Sequence, residues 1–141
     1  RTLEIFDGTP IDVMRQNGVF VEADDDTVVL EIKRLIEEID VATELLSDSA
    51  TNLLQVNGRL PEDRERMLSV IDEYLSMEPR QRIEYSLRSR LAAFAGQYGG
   101  LSDEILSAIA PVLRGGSLDP GQATDGELKQ MTAFVKSRLM P

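Results

Sequence analysis

The chain has 141 residues, 42% of them hydrophobic, and its 25 Asp and Glu against 15 Lys and Arg give a formal charge of −10. That length fits one domain with a real core. The absence of Cys and His excludes disulfides, thiolate nucleophiles, Cys-ligated zinc or iron–sulfur clusters, catalytic triads and HExxH zinc sites on this polypeptide. The acidic balance argues against nucleic acid as a partner, because phosphate contacts require an excess of Lys and Arg on some face. No apolar run approaches the roughly 20 residues of a membrane span, and no basic, apolar and small-residue pattern marks a signal peptide. With no Cys, the expected setting is cytoplasmic. The start at Arg1, without Met and directly in an apolar stretch, reads as a piece cut from something longer.

Leu3, Ile5 and Phe6 form a short apolar run that stops at Asp7-Gly8-Thr9-Pro10, the pattern of a brief strand entering a turn. Ile11 to Gln16 suits about one helical turn, closed by Asn17-Gly18, and Val19-Phe20-Val21 reads as extended or irregular. Asp24, Asp25 and Asp26 then precede a helix whose apolar positions are Ile32, Leu35, Ile36 and Ile39. Three carboxylates there suit the positive end of the helix dipole and an N-cap. A calcium loop would also need Gly and a late Glu at set spacing, and these are missing. The end of this helix stays open. The 3–4 spacing of Thr43, Leu46, Ala50 and Leu53 carries one helix to about Val56. The β-branched Val41 and Thr43, with Ser47-Asp48-Ser49, favour a break near Asp40.

The second half has firmer punctuation. Pro61-Glu62-Asp63 reads as a helix start, followed by the stripe Met67, Ile71, Tyr74 and Leu75. Pro79 opens another helix with the stripe Ile83, Leu87, Leu91, Phe94 and Tyr98, ended by Gly99-Gly100. Ser102 caps the next, lined by Ile105, Ile109 and Val112, shortened or kinked by Pro111 and closed by Gly115-Gly116. Thr124 and Glu127 have capping-box spacing ahead of a last helix lined by Leu128, Met131, Val135 and Leu139.

No catalytic constellation emerges. The phosphate-loop pattern GxxxxGK[ST] is absent, and Lys33, Lys129 and Lys136 have no SxxK partner. Adjacent acids such as Glu37-Glu38 and Asp103-Glu104 diverge around a helix, whereas glycosidase chemistry needs two acids converging across a cleft. Arg80, Arg82, Arg88 and Arg90 form the most basic stretch. At about 100° per residue they share no single face, which points to solvation or to pairing with the chain's own carboxylates.

Two stretches carry a resemblance. Leu3-Glu4-Ile5-Phe6-Asp7-Gly8-Thr9-Pro10 with Gly18-Val19-Phe20 resembles the segment closing the catalytic barrel of many radical S-adenosylmethionine (radical SAM) enzymes, where a late strand ends in a Gly-Thr-Pro turn. Thr43-Glu44-Leu45-Leu46-Ser47-Asp48-Ser49-Ala50-Thr51-Asn52, followed by Gly58-Arg59-Leu60-Pro61-Glu62-Asp63-Arg64-Glu65, is similar to a signature downstream of the barrel in one poorly characterised branch. That branch has Asn-His where this chain has Asp48-Ser49, and the family's cluster-binding CxxxCxxC is absent.

The spacing and capping signals predict a mainly α chain of about five amphipathic helices in a small bundle after a short extended N-terminal segment, and the resemblance spans about residues 3–75. It implies a barrel-end strand and turn remnant in 1–23 and a helical C-terminal domain in 24–141. Residues 3–6, 28–40 and 43–47 would form a β-α-β remnant with a right-handed crossover. No cofactor is expected in this chain, while a parent enzyme would hold a 4Fe-4S cluster and S-adenosylmethionine. The chain would then be an accessory domain, not catalytic alone, packing on the missing barrel. Ser47, Asp48, Asn52 and Arg59, the polar members of the matched motif, are its substrate-side candidates; loop capping and turn formation are the simpler role for the same residues. The alternative is a free-standing acidic helical module that binds a protein partner or forms a homodimer.

Overall fold

The computed structural model describes Leu3 and residues 5–139. Thr9 accepts the Asp12 amide and, with Pro10 at the first position, starts α1 (Pro10–Gln16). Asp24 accepts the Thr27 amide at 2.9 Å and caps α2 (Asp25–Glu38). Two short strands follow, β1 (Thr43–Leu45) and β2 (Gly58–Leu60), then α3 (Arg64–Ser76) and α4 (Pro79–Tyr98). Ser102 caps α5 (Asp103–Ile109), which tightens into a 3-10 turn at Ala110–Val112. A hairpin of β3 (Leu113–Arg114) and β4 (Ser117–Leu118) leads to α6 (Asp125–Lys136), opened by the Thr124–Glu127 capping box. The architecture among the described residues is a small mainly α bundle of six helices with two short antiparallel two-stranded sheets. Among the described residues, no helix is long and apolar enough to cross a membrane.

Several expectations change. Leu3, Ile5 and Phe6 belong to no strand, and Glu4, the remaining member of that run, lies outside the described residues. Segment 43–45 is a strand, but it pairs antiparallel with 58–60, Glu44 facing Arg59. A β-α-β unit is therefore not formed. The long helix to Val56 is not formed either. Arg64 reaches across to cap the end of α2, donating to the Glu37 and Ile39 carbonyls. Beyond that cap, Leu53, Leu54 and Val56 are all buried together, a density that one face of a helix could not supply. Pro61–Asp63 form a turn instead of the first helical turn, closed by the Asp63 amide on the Arg59 carbonyl at 2.7 Å. Gly115 and Gly116, with φ of 56° and 81°, make the tight β3–β4 turn and do not cap α5. Such a turn needs positive φ at both central positions, which glycine adopts without a Cβ penalty.

Two apolar clusters share α4 as a common wall. Leu87, Leu91 and Phe94 meet Ile105, Ile109 and Val112 from the α5 region and Leu128, Met131 and Val135 from α6. On its other side, Tyr85 packs edge-on to Tyr74 of α3, with ring centroids 5.5 Å apart. Val29 and Ile36 of α2, Leu53, Leu54, Val56 and Leu60 of the β1–β2 connection, and Met67 and Ile71 of α3 complete this second cluster. Each such side chain, fully buried, contributes about 1.5–3 kcal/mol.

Candidate functional site

The matched motif folds into the connection between β1 and β2. Ser47 is buried; its hydroxyl donates to the Leu54 carbonyl at 3.0 Å and accepts the Asn52 amide group at 3.0 Å. Its backbone amide donates to the Asn57 side chain. Asn52 is buried beside it. Asp48 and the Arg59 side chain are exposed, and the Arg59 amide donates to the Asp63 carboxylate at 2.9 Å. The fold thus joins Ser47 to Asn52 and leaves Asp48 and Arg59 apart from them. Gly58 has a packing reason: an added Cβ would come within 2.8 Å of the Asp63 Cβ and the Met67 sulfur.

The most elaborate polar assembly lies elsewhere, between the start of α2 and the middle of α4. Arg82, Ser86 and Arg90 recur every four residues, so they form one ladder along α4. Arg82 donates to Asp26 at 3.0 Å and to the Met77 carbonyl at 2.8 Å. The Ser86 hydroxyl donates to Asp25, and Arg90 Nη2 donates to the other oxygen of Asp25 at 3.0 Å. Arg90 is 1% exposed, and its Nε and Nη1 have no hydrogen-bond acceptor among the described residues. The Tyr74 hydroxyl donates to Asp26 at 2.8 Å; burial first, then that carboxylate, pushes its pKa up. Arg80 and Arg88 turn the other way, Arg80 to Glu84 and Asp125, Arg88 to the Leu118 carbonyl. The basic stretch thus pairs largely with the chain's own carboxylates. The four-residue spacing of Arg82, Ser86 and Arg90 is visible in the sequence, but nothing local to Ser86 marks it as part of this assembly.

A cleft of about 380 Å³ opens beside this ladder, lined among others by Glu22, Asp24, Tyr74, Ile83, Lys129 and Lys136. Its acids are engaged internally. Glu22 bridges Lys136 at 3.0 Å and Arg15 at 3.1 Å, and these cations outweigh burial to lower its pKa. Asp24, held by the Thr27 side chain and amide, is lowered as well. Among the described residues no three acidic side chains converge to hold a metal. The cleft works as a seam that ties the N-terminal arm and α2 onto α4 and α6.

The surface is divided more sharply than the interior. Residues 1–48 contain 13 of the 25 acids but 4 of the 15 basic residues, a net −9, and the remaining residues carry −1. Ten of the twelve exposed large hydrophobic side chains among the described residues also lie between Leu3 and Leu46, including Val21 at 84% and Val41 and Leu46 at 63%. Asp7, Glu31, Asp40, Glu44 and Asp48 stand among them as exposed carboxylates. Charge could have been tallied by segment from the sequence, but which hydrophobic residues stay in water could not.

No family model matches the chain, and comparison with curated proteins and with solved structures gives no match.

Proposed function

We propose that this chain is an acidic helical protein-interaction module, with residues 3–48 as its docking face and the α3–α6 bundle as the scaffold. One observation carries the reading: the exposed hydrophobic side chains and the excess negative charge occupy the same third of the chain. Scattered exposed apolar residues are ordinary; that ten of the twelve among the described residues fall in one stretch of chain is what sets 3–48 apart. The partner that fits presents Lys and Arg around an apolar centre, since complementary potential steers association and rejects wrong partners. A second copy would set −9 against −9. The proposed setting is the cytoplasm.

A second reading is favoured by where the exposure begins. Leu3, Phe6, Val13, Met14, Val19 and Val21 lie on the stretch that resembles the end of a radical SAM barrel. In that reading the same face is covered by a barrel domain, and the chain is its C-terminal accessory domain.

Carbodiimide footprinting of the native gene product, with its mass and iron content, tests both. We expect Asp7, Glu31, Asp40, Glu44 and Asp48 to react more slowly in the native assembly than in the isolated chain, with Asp103 and Asp119 unchanged. Protection without iron, on association with a basic protein, supports the module. Protection within one longer chain that holds about four irons supports the accessory domain. Equal reactivity in both settings refutes a covered face altogether.

A further inference from the structure

The β1–β2 ribbon has only three residue pairs, Thr43 with Leu60, Glu44 with Arg59 and Leu45 with Gly58. A two-stranded ribbon is marginal in water unless a third element supports it. β2 receives that support from α3, against which it packs. β1 rests on the same apolar cluster through Leu45, but among the described residues no strand pairs with its outer side. Val41, Ala42, Thr43, Glu44 and Leu46 are all exposed. Among the described residues, no backbone–backbone hydrogen bond engages Asp40, Val41 or Ala42. The edge is short and carries no Lys or Pro; its charges, Asp40 and Glu44, are acidic, so they discourage an acidic strand and not a basic one.

We propose that an extended, basic segment of a partner protein adds to the free edge of β1 as a third strand, a deepening that rests on the interaction-module reading above. Main-chain hydrogen bonds would supply the affinity and alternate side chains the selectivity, as in other strand additions. The charge of the occupant follows from the ribbon itself. Glu44 already faces Arg59 on its inner side; a Lys or Arg on its outer side repeats that favourable cross-strand pairing. Asp40 and Asp48, both exposed, extend the preference at either end. Val41, 63% exposed and of opposite parity to Glu44 along the strand, offers apolar contact to the residues between the cations. Self-pairing through this edge would align carboxylates with carboxylates.

The test is an NMR titration of the 15N-labelled chain with a blocked Lys-Val-Lys-Val-Lys-Val-Lys peptide, and with the same peptide carrying Glu in place of Lys. We expect shifts centred on residues 41–46, slowed amide exchange at alternate residues of that segment, and binding weakened at least about tenfold for the Glu peptide or the Glu44→Lys variant. Shifts at Leu30 and Leu35 without slowed exchange at β1 would overturn strand addition while leaving the docking face intact. No response anywhere in 3–48 would overturn both. Equal binding of the two peptides would overturn the basic occupant. Concentration-dependent protection of β1 in the chain alone would make a second copy the occupant, and would overturn it too.

Discussion

Replacing Asp25 by Ala is the sharpest probe of how the N-terminal third is held. Asp25 supplies the acceptors for Arg90 Nη2, at 3.0 Å, and for the Ser86 hydroxyl. Arg90 is 1% exposed and already lacks partners at Nε and Nη1, so Asp25→Ala leaves a buried guanidinium without its counter-charge. Removing one member of a fully buried pair costs about 3–5 kcal/mol. The Asp25 side chain keeps 25% of its surface in water, and that screening lowers the expected loss to about 2–4 kcal/mol. Against a typical total of about 5–15 kcal/mol, Tm should fall by roughly 10 °C. Arg90→Met alone leaves Asp25 with Ser86 and the α2 N-terminus, and should cost about 1 kcal/mol. The double variant should be more stable than Asp25→Ala, because the stranded charge has gone. Urea unfolding followed by circular dichroism gives all four corners of the cycle. If the two single losses add to within about 0.5 kcal/mol in the double variant, the two residues are uncoupled and the clasp is not what joins α2 to α4.

Two further outcomes follow from other contacts. Gly58→Ala places a Cβ within 2.8 Å of the Asp63 Cβ and the Met67 sulfur; overpacking of this kind costs about 1–3 kcal/mol, and an unchanged urea midpoint would show that the turn relaxes freely. The pH dependence has a definite sign. Asp12, held by the Gly8 amide and Arg15, Asp63, held by the Arg59 amide and Arg66, and Glu127, held by the Thr124 amide and hydroxyl, all have lowered pKa values. Each binds its proton less readily in the folded chain than in the unfolded one. Their stabilisation is complete above the ordinary carboxyl values near about 4 and is lost as pH falls through the lowered folded values. The urea midpoint should therefore drop on acidification below about pH 4. Relief of self-repulsion acts in the opposite sense, so a midpoint that rises below about pH 4 would show repulsion to be the larger effect.

Local chemistry alone determined much of this protein. Asp24, Ser102 and Thr124 cap their helices as their positions require, because an N-cap needs only a side-chain oxygen and the amide two or three residues on. The stripes of α3, α4 and α6 were legible because helical spacing maps directly onto one face. Tertiary structure decided what local rules left balanced. Helix and strand competed over 43–56 until Arg64, 25 residues beyond Ile39, capped α2 and β2 offered β1 a partner. Gly115-Gly116 is as good a helix stop as a hairpin turn, and only the pairing of Leu113 with Leu118 selects the turn. The site divides in the same way. That Ser47 and Asn52 would serve a loop was within reach of the sequence, since both types bond to nearby backbone and side chains. That Arg90 would be buried against Asp25, 65 residues away, was not, because charge in a sequence carries no information about which carboxylate folds onto it. Nor could periodicity reveal the bare edge of β1, since exposure of a strand depends on what the rest of the chain leaves uncovered.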